Sequence, residues 1–175
     1  MKVVHNAEVI VGDYPFADQI KSEVLSLLKV CNPIPQNHSN VKASVHTEWD
    51  WEPDNLKFRN LKAYIREQVE KHFRPGARSD GSRSWVKCHT FWANVYEKGD
   101  YAISHCHKPM DFSFAYFVKA KWYYPPLVFT HSWKRIRPKE GRYIIFPSYV
   151  KHHVPKHRYR DTRITLSGNL LINRE

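Results

Sequence analysis

The sequence predicts a mainly β fold with flanking N-terminal helices, organised as a double-stranded β-helix, or jelly roll. The first part of the chain, about residues 1–75, contains two amphipathic helical patterns. From residue 85 onward, short runs rich in aromatic and β-branched residues are separated by turn signals, with no helices between them. We therefore expect helices packed outside a jelly-roll core that covers about residues 85–175.

Both predicted helices show an apolar stripe at helical spacing. The first lies in FADQIKSEVLSLLKV and has the stripe Ile20, Val24, Leu27 and Leu28. The second follows Pro53, with Asp54 as its predicted N-cap, and ends at Pro75-Gly76. Its stripe is Phe58, Leu61, Ile65 and Val69. The polar stretch 74–84 is predicted to be a surface loop or a lid.

Five runs are predicted to be β-strands, and turns separate them at roughly 8–20 residues. They are WVKCHTFWANVYEKGD, FSFAYFVKAKWYY, LVFTHSW, RYIIF and RITLSGNLLI. In the last run, apolar residues alternate with the polar residues Arg163, Thr165, Ser167 and Asn169. That polar row would face water in an open sheet, or a bound ligand in a small barrel.

Length and composition indicate one domain. The chain has 175 residues, of which 42% are hydrophobic, enough for one core and too few for two. We expect a single domain over 1–175. No run approaches the ~18 apolar residues of a membrane span, and the N-terminus lacks the pattern of a secretory signal. Three scattered cysteines fit a reducing compartment, so we expect a cytoplasmic protein that does not contact a membrane.

The positive charge is concentrated in one segment. The formal net charge is +11, and residues 119–163 contain twelve Lys and Arg against two acids, Glu140 and Asp161. Such a segment binds an anionic partner, such as nucleic acid, an acidic protein or a carboxylate-bearing small molecule, or it forms a solvated basic surface. Both interpretations stay open at this point.

Histidines at alternate positions mark a candidate metal site. His105 and His107 lie in a stretch with strand character, and residues i and i+2 of a strand point to the same face. Imidazole is a common ligand of iron, zinc, copper and nickel. A third ligand would come from FPSYVKHHVPKH, which contains His152, His153 and His157. A bulge in this strand would let Asp111 supply a carboxylate ligand in place of His107, but Asp111 ranks below this histidine. A lone HxH pair is also compatible with chance.

Four motifs in order resemble the Fe(II)- and 2-oxoglutarate (2OG)-dependent oxygenases, in particular the prolyl-hydroxylase-like 2OG-Fe(II) oxygenases of bacteria and phages. The motifs are His-Cys-His at 105–107, SFAYFV at 113–118, FPS at 146–148 followed by His152 and Val154, and Arg-x-Thr-x-Ser-x-Asn at 163–169. The upstream NVYEKG is also similar to a pattern of the nucleic-acid alkylation-repair branch. The resemblance covers about residues 90–170.

The resemblance implies a catalytic iron site. His105, His107 and His152 would bind Fe(II) on one face and leave positions for 2OG and O₂. The wider superfamily has Asp or Glu where His107 stands, so this site would carry one negative charge fewer.

The resemblance also implies a cosubstrate site. Arg163 would pair with the far carboxylate of 2OG, assisted by the hydroxyl of Thr165. Two residues of one predicted strand, which share their face with Trp92, would bind the other end: Asn94 and Tyr96. Phe117 stands where related enzymes often have a tyrosine that touches the cosubstrate, so either that hydrogen bond is missing or Tyr116 replaces it across the strand.

The implied function is hydroxylation of a peptidyl substrate, such as a prolyl residue, or of a small molecule, with release of succinate and CO₂. One alternative is a demethylase or hydroxylase of nucleic acid that uses the basic segment 119–163. Another is a metal-binding jelly-roll module without catalysis. Substrate selection is expected in the loops 74–84 and 130–140. For a phage-encoded protein, the expected location is the cytoplasm of the host cell.

Overall fold

The computed structural model describes residues 7–34, 39–51, 55–73 and 85–173. Its two helices are α1 (Ala17–Leu27) and α2 (Leu56–Phe73). Its strands are β1 (Ile10–Asp13), β2 (Val41–Lys42), β3 (Val45–His46), β4 (Val86–Tyr96), β5 (Tyr101–His105), β6 (Phe112–Lys119), β7 (Leu127–Phe129), β8 (Arg135–Ile136), β9 (Arg142–Pro147), β10 (His152–Val154) and β11 (Arg163–Ile172).

The strands form two antiparallel sheets, and the predicted jelly roll is confirmed. The large sheet has the order β1-β9-β6-β11-β4-β3, and the small sheet has the order β2-β5-β10-β7-β8. The N-terminal part is not purely helical as expected, because β1, β2 and β3 lie within it and extend both sheets. These strands have two to four residues, too few to show a hydrophobic period.

The helices pack their predicted apolar stripes against the outer face of the large sheet. All four stripe residues of α2 are buried in the same cluster as Ile20 and Val24 of α1. Asn55, directly before α2, accepts a hydrogen bond from the backbone N–H of Lys57 at 2.8 Å, which is an N-cap contact. The predicted cap Asp54 and the predicted loop 74–84 lie outside the described residues.

The central strands of the large sheet are buried on both faces. In β6, the outer residues Phe112, Phe114 and Tyr116 belong to the helix-side cluster, whereas Ala115 and Phe117 face the space between the sheets. In β11, the predicted polar row turns inward and its apolar residues turn toward the helices. The interior between the two sheets therefore contains the polar groups that could bind a ligand.

Within the described residues, neither helix combines the length and apolar character needed to cross a membrane.

Candidate metal centre

Three histidines converge between the two sheets. One nitrogen from each of His105, His107 and His152 lies within 4.8 Å of the other two. The Nε2 atoms of His107 and His152 are 3.4 Å apart. Nitrogens bound at about 2.1 Å to one ion, at angles of about 90–110°, lie roughly 3.0–3.4 Å apart. The spacing therefore suits two ligands of a single metal ion.

A β-bulge brings His105 opposite His152. His152 pairs with His105, whereas two residues further along β10 Val154 pairs with Ala102. The three-residue interval from Ala102 to His105 in β5 therefore lies opposite a two-residue interval in β10. β5 has one extra residue here, as in a β-bulge. The bulge turns both Ala102 and His105 toward the interior, although three residues separate them.

His107 does not lie on a strand, which corrects the prediction from the i, i+2 spacing. β5 ends at His105, and the backbone N–H of His107 donates to the carbonyl oxygen of Ser148 at 2.8 Å. The two rings nevertheless lie side by side, with 4.9 Å between the centroids of His105 and His107. A loop contact to the FPS motif, rather than strand alternation, therefore positions the second imidazole.

Hydrogen bonds at Nδ1 leave Nε2 free to bind a metal. His105 Nδ1 lies 2.7 Å from the carbonyl oxygen of Ile103, and His152 Nδ1 lies 3.1 Å from that of Val150. A carbonyl oxygen only accepts, so each Nδ1 carries the proton and each Nε2 keeps its lone pair. Second contacts of this kind orient histidine ligands in metal sites.

Burial keeps the three rings neutral, the form that binds metals. It lowers the pKa of His105 below its ordinary value. Burial and the charge of His105 lower the pKa of His107 to about 4. Burial, followed by repulsion from the other two histidines, lowers the pKa of His152 to about 3. At neutral pH the three imidazoles are therefore unprotonated, and none has to lose a proton before it binds a metal.

The same cavity contains a buried guanidinium group that forms no salt bridge with a described residue. Arg163 is 1% exposed and lies between the rings of Tyr96 and Phe117, at 4.7 and 5.2 Å from their centroids. Its Nε and Nη1 atoms have no hydrogen-bond partner in the part of the chain that the structure describes. Burial lowers its pKa, and the neighbouring Tyr96 partly opposes this effect. An uncompensated buried cation is costly, so the cavity is built to receive an anion.

The other predicted cosubstrate residues are placed as the strand pattern indicated, with one exception. Asn94, Tyr96 and Thr165 are buried and line the cavity together with Arg163. The Oδ1 atom of Asn94 has no hydrogen-bond partner within the described residues.

Tyr116 is the exception. It lies on the opposite face of β6, in the helix-side cluster, with its ring 6.2 Å from that of Tyr14. It cannot take over the contact that was assigned to it. Both faces of β6 are aromatic and buried, so the sequence pattern could not indicate which face meets the cavity.

Asp111 does not approach the triad. Its backbone N–H donates to the carbonyl oxygen of Leu170, and its Oδ2 accepts from the N–H of Ile172 at 2.8 Å. The carboxylate therefore fastens the end of β11. Of the other histidines in FPSYVKHHVPKH, His153 contacts Thr130 on the outer side of the small sheet.

A buried hydroxyl network behind the triad was not predicted. Ser113 Oγ lies 2.6 Å from Ser148 Oγ and donates to Asn169 Oδ1 at 2.8 Å, and Asn169 Nδ2 donates to Thr90 Oγ1. Ser148 also accepts the backbone N–H of His107. The alternation of polar residues in β11 was the available signal, but the cross-strand partners depend on sheet register, which the sequence does not show.

His46 was also missed. It is buried beside Trp92, and a two-residue strand gives it no recognisable pattern. Its orientation results from pairing with Asn94 across β3 and β4.

Comparison with known proteins gives a family match and a fold match. Residues 128–169 match the family model described as "Putative 2OG-Fe(II) oxygenase". No curated protein matches the chain significantly. The viral collagen prolyl hydroxylase of Paramecium bursaria Chlorella virus-1, solved with 2OG, has a TM-score of 0.68 at 15% identity, over 93% of this chain and 94% of that one. A Pseudomonas putida prolyl-4-hydroxylase gives 0.64 at 12% identity, over 95% and 94%.

A third structure is more distant in sequence. HygX from Streptomyces hygroscopicus, solved with nickel and 2OG bound, has a TM-score of 0.69 at 6% identity, over 94% of this chain and 82% of that one. At these sequence identities the comparison shows that the folds are alike and nothing more.

The chain has the jelly-roll fold of these structures, and residues 128–169, about a quarter of its length, resemble the 2OG-Fe(II) oxygenase family, as the sequence motifs suggested. The matched segment and the histidine triad support an Fe(II)- and 2OG-dependent dioxygenase, for which Fe(II) would be the metal and 2OG and O₂ the cosubstrates.

Proposed function

We propose that this enzyme hydroxylates a peptidyl substrate, with His105, His107 and His152 as the iron ligands and Arg163 as the anchor of 2OG. The reaction takes 2OG, O₂ and a substrate C–H group to succinate, CO₂ and the hydroxylated product. The observation that carries the proposal is the placement of a buried guanidinium, which has no acidic partner among the described residues, in the same cavity as three neutral imidazoles.

The donor set fits Fe(II). Imidazole nitrogens bind iron, and three on one side of an ion leave room for a chelating oxo acid and O₂. Bound Fe(II) supplies the activation of O₂ and the oxidative decarboxylation of 2OG. The protein holds the ligand nitrogens in place through the Nδ1 contacts of His105 and His152.

The cavity residues bind and orient 2OG. Arg163 pairs its planar guanidinium with the far carboxylate, and the hydroxyl of Thr165 on the same face of β11 donates to it. Asn94 hydrogen-bonds the other end, whereas Tyr96, which packs against the guanidinium, lies at the Arg163 end. Aromatic rings around Arg163 exclude water, which strengthens this ion pair.

A peptide is the substrate that the neighbours favour. The viral enzyme is a collagen prolyl hydroxylase, and a Trichoplax adhaerens prolyl hydroxylase was solved with a peptide fragment of hypoxia-inducible factor. A small molecule is the alternative within the same chemistry, because HygX was solved with hygromycin B.

Anaerobic reconstitution tests the proposed site. Wild-type protein with Fe(II) and 2OG should show the weak visible metal-to-ligand charge-transfer band and should form succinate on exposure to air. His152→Ala should abolish the band, whereas the adjacent His153→Ala, whose side chain is on the outer side of the sheet, should keep it. A protein that binds metal stoichiometrically but gives neither band nor succinate would be a non-catalytic metal-binding module.

Nucleic acid is a second candidate substrate, favoured by the surface charge. Asp161 and Asp13 pair with four cations of the segment 119–163, and Arg163 is buried. The remaining seven are exposed and form no salt bridge with a described residue: Lys134, Arg135, Arg137, Lys151, Lys156, Arg158 and Arg160. Exposed aromatic rings lie among them, including Trp122 and Trp133. Cations interleaved with exposed rings are typical of single-strand binding surfaces.

Salt dependence tests this second candidate. Affinity for a fluorescent dodecameric oligonucleotide should fall steeply as salt rises, with a slope set by the number of phosphates contacted. Arg135→Ala should reduce the slope by about one. Weak binding that does not change with salt would leave the peptide as the better substrate.

A further inference from the structure

Two buried polar side chains beside the triad lack hydrogen-bond partners. His46 is 1% exposed and Trp92 is 2% exposed. Neither Nε2 of His46 nor Nε1 of Trp92 has a partner within the described residues. Isolated groups of this kind are rare in folded proteins because a buried polar atom without a partner is costly. Two adjacent ones next to a candidate active site indicate a binding site for a ligand.

The two atoms have opposite hydrogen-bonding roles. His46 Nδ1 lies 2.6 Å from the carbonyl oxygen of Thr47, so Nδ1 carries the proton and Nε2 accepts. Burial lowers the pKa of His46, which keeps this ring neutral. The indole Nε1–H of Trp92 can only donate. The rings are nearly parallel, with centroids 6.2 Å apart, so the acceptor and the donor belong to neighbouring rings.

The pair is held rigidly between the metal centre and the surface. The backbone N–H of Thr47 donates to the carbonyl oxygen of Ala93, which fixes the chain after His46 against β4. Trp92 lies 6.0 Å from the ring of His107. On the other side, Trp49 packs edge-on against both rings, at 4.6 and 4.7 Å, and is 40% exposed. Trp92 thus lies next to the triad residue His107, and Trp49 lies between the pair and solvent.

We propose that His46 and Trp92 form a subsite for the backbone of one extended residue of the substrate. Trp92 Nε1–H donates to the C=O of that residue, and His46 Nε2 accepts from its N–H. An extended peptide residue presents its own N–H and C=O on the same side, as it does to a neighbouring strand. This inference rests on the proposed function, since it names the group by which a peptidyl substrate would be recognised.

Two blocked single residues test the subsite directly. Protein loaded with Zn(II) and 2OG, which is diamagnetic and does not turn over, is titrated with N-acetylglycine N-methylamide or N-acetylsarcosine N-methylamide while the indole N–H signals are followed by NMR. Wild type should bind the glycine compound about fivefold more tightly, because the sarcosine compound lacks the residue's own N–H for His46. The Trp92 indole signal should move downfield on binding.

Variants separate the two contacts. His46→Phe keeps an aromatic ring and should lose the preference between the two compounds. Trp92→Phe should weaken binding of both compounds about fivefold. His153→Phe, on the outer side of the small sheet, should behave as wild type. The remaining indole signals and the circular dichroism spectrum show whether each variant is folded.

The outcomes distinguish this subsite from the proposed function. Absence of 2OG binding by wild type would overturn the proposed function itself. If 2OG binds but the Trp92 signal does not respond to N-acetylglycine N-methylamide, the subsite is wrong. The subsite is also wrong if His46→Phe retains the preference, since an ordered water would then be the partner of His46.

Discussion

Replacement of Arg163 by methionine should stabilise the ligand-free protein and abolish 2OG binding. An uncompensated buried charge costs about 3–5 kcal/mol. The stacking contacts of the guanidinium with Tyr96 and Phe117 stabilise the folded protein by about 1–2 kcal/mol in total. Methionine fills a similar volume without charge, so Arg163→Met should raise the free energy of unfolding by about 2 kcal/mol. In a domain of this size that gain raises Tm by roughly 4–8 °C.

The same substitution should have the opposite effect once 2OG is present. Loss of the buried ion pair should weaken 2OG binding by about 10²–10³-fold. At a 2OG concentration of about 100 Kd, wild type gains about 2.7 kcal/mol by linkage. Arg163→Met should gain almost nothing, so the order of stabilities reverses.

Chemical denaturation measures both effects, on protein without cofactors and on anaerobic protein with Fe(II) and 2OG. Arg160→Met, at an exposed position three residues before Arg163, is the matched control and should change neither quantity. The reasoning would be refuted if Arg163→Met were less stable than wild type without 2OG, or if 2OG stabilised both proteins equally.

Three shorter predictions concern the metal site and the surface. His107→Asp should shift metal preference from Ni(II) toward Mn(II) by about tenfold, measured as the ratio of dissociation constants, because carboxylate oxygen suits Mn(II) better than imidazole does; an unchanged ratio would mean that this side chain does not bind the metal. Trp133→Gly should stabilise the fold by about 0.5–1 kcal/mol in chemical denaturation, since Trp133 has a left-handed φ of 56° and is 66% exposed, whereas Trp122→Gly should not stabilise it. The metal-free protein should lose stability as the pH falls below about 6.5. Below this pH His152 is protonated in the unfolded chain, whereas in the folded protein its pKa is lowered to about 3 and it stays neutral. His152→Gln should flatten this dependence in unfolding experiments between pH 7 and 4.5.

The parts of the site that the sequence predicted are those in which alternation decides direction. Asn94 and Tyr96 in β4, and Arg163 and Thr165 in β11, turned inward as period two required, because the residues between them needed the helix-side core. The helices were readable for the same reason, since their apolar stripes had one surface to cover.

The parts that were missed depend on register and on loops. The bulge in β5 places His105 opposite His152, and no residue of β5 marks it in the sequence. His107 is positioned by Ser148, a contact between segments 41 residues apart in the chain. Tyr116 was assigned to the wrong face because both faces of β6 are apolar. Tertiary pairing, rather than local propensity, decides each of these features.

The charge of the cavity couples the metal to the cosubstrate. No Asp or Glu is found among the described residues that line it, so a divalent ion and the Arg163 guanidinium would share a poorly screened space without a carboxylate between them. Metal binding alone should therefore be opposed by Arg163, and Arg163→Met should bind Zn(II) more tightly than wild type in calorimetry without 2OG. Addition of 2OG brings two negative charges and should raise the Zn(II) affinity of wild type much more than that of the variant, as reciprocal linkage requires. Equal Zn(II) affinities of the two proteins without 2OG would show that Arg163 lies outside the electrostatic reach of the triad.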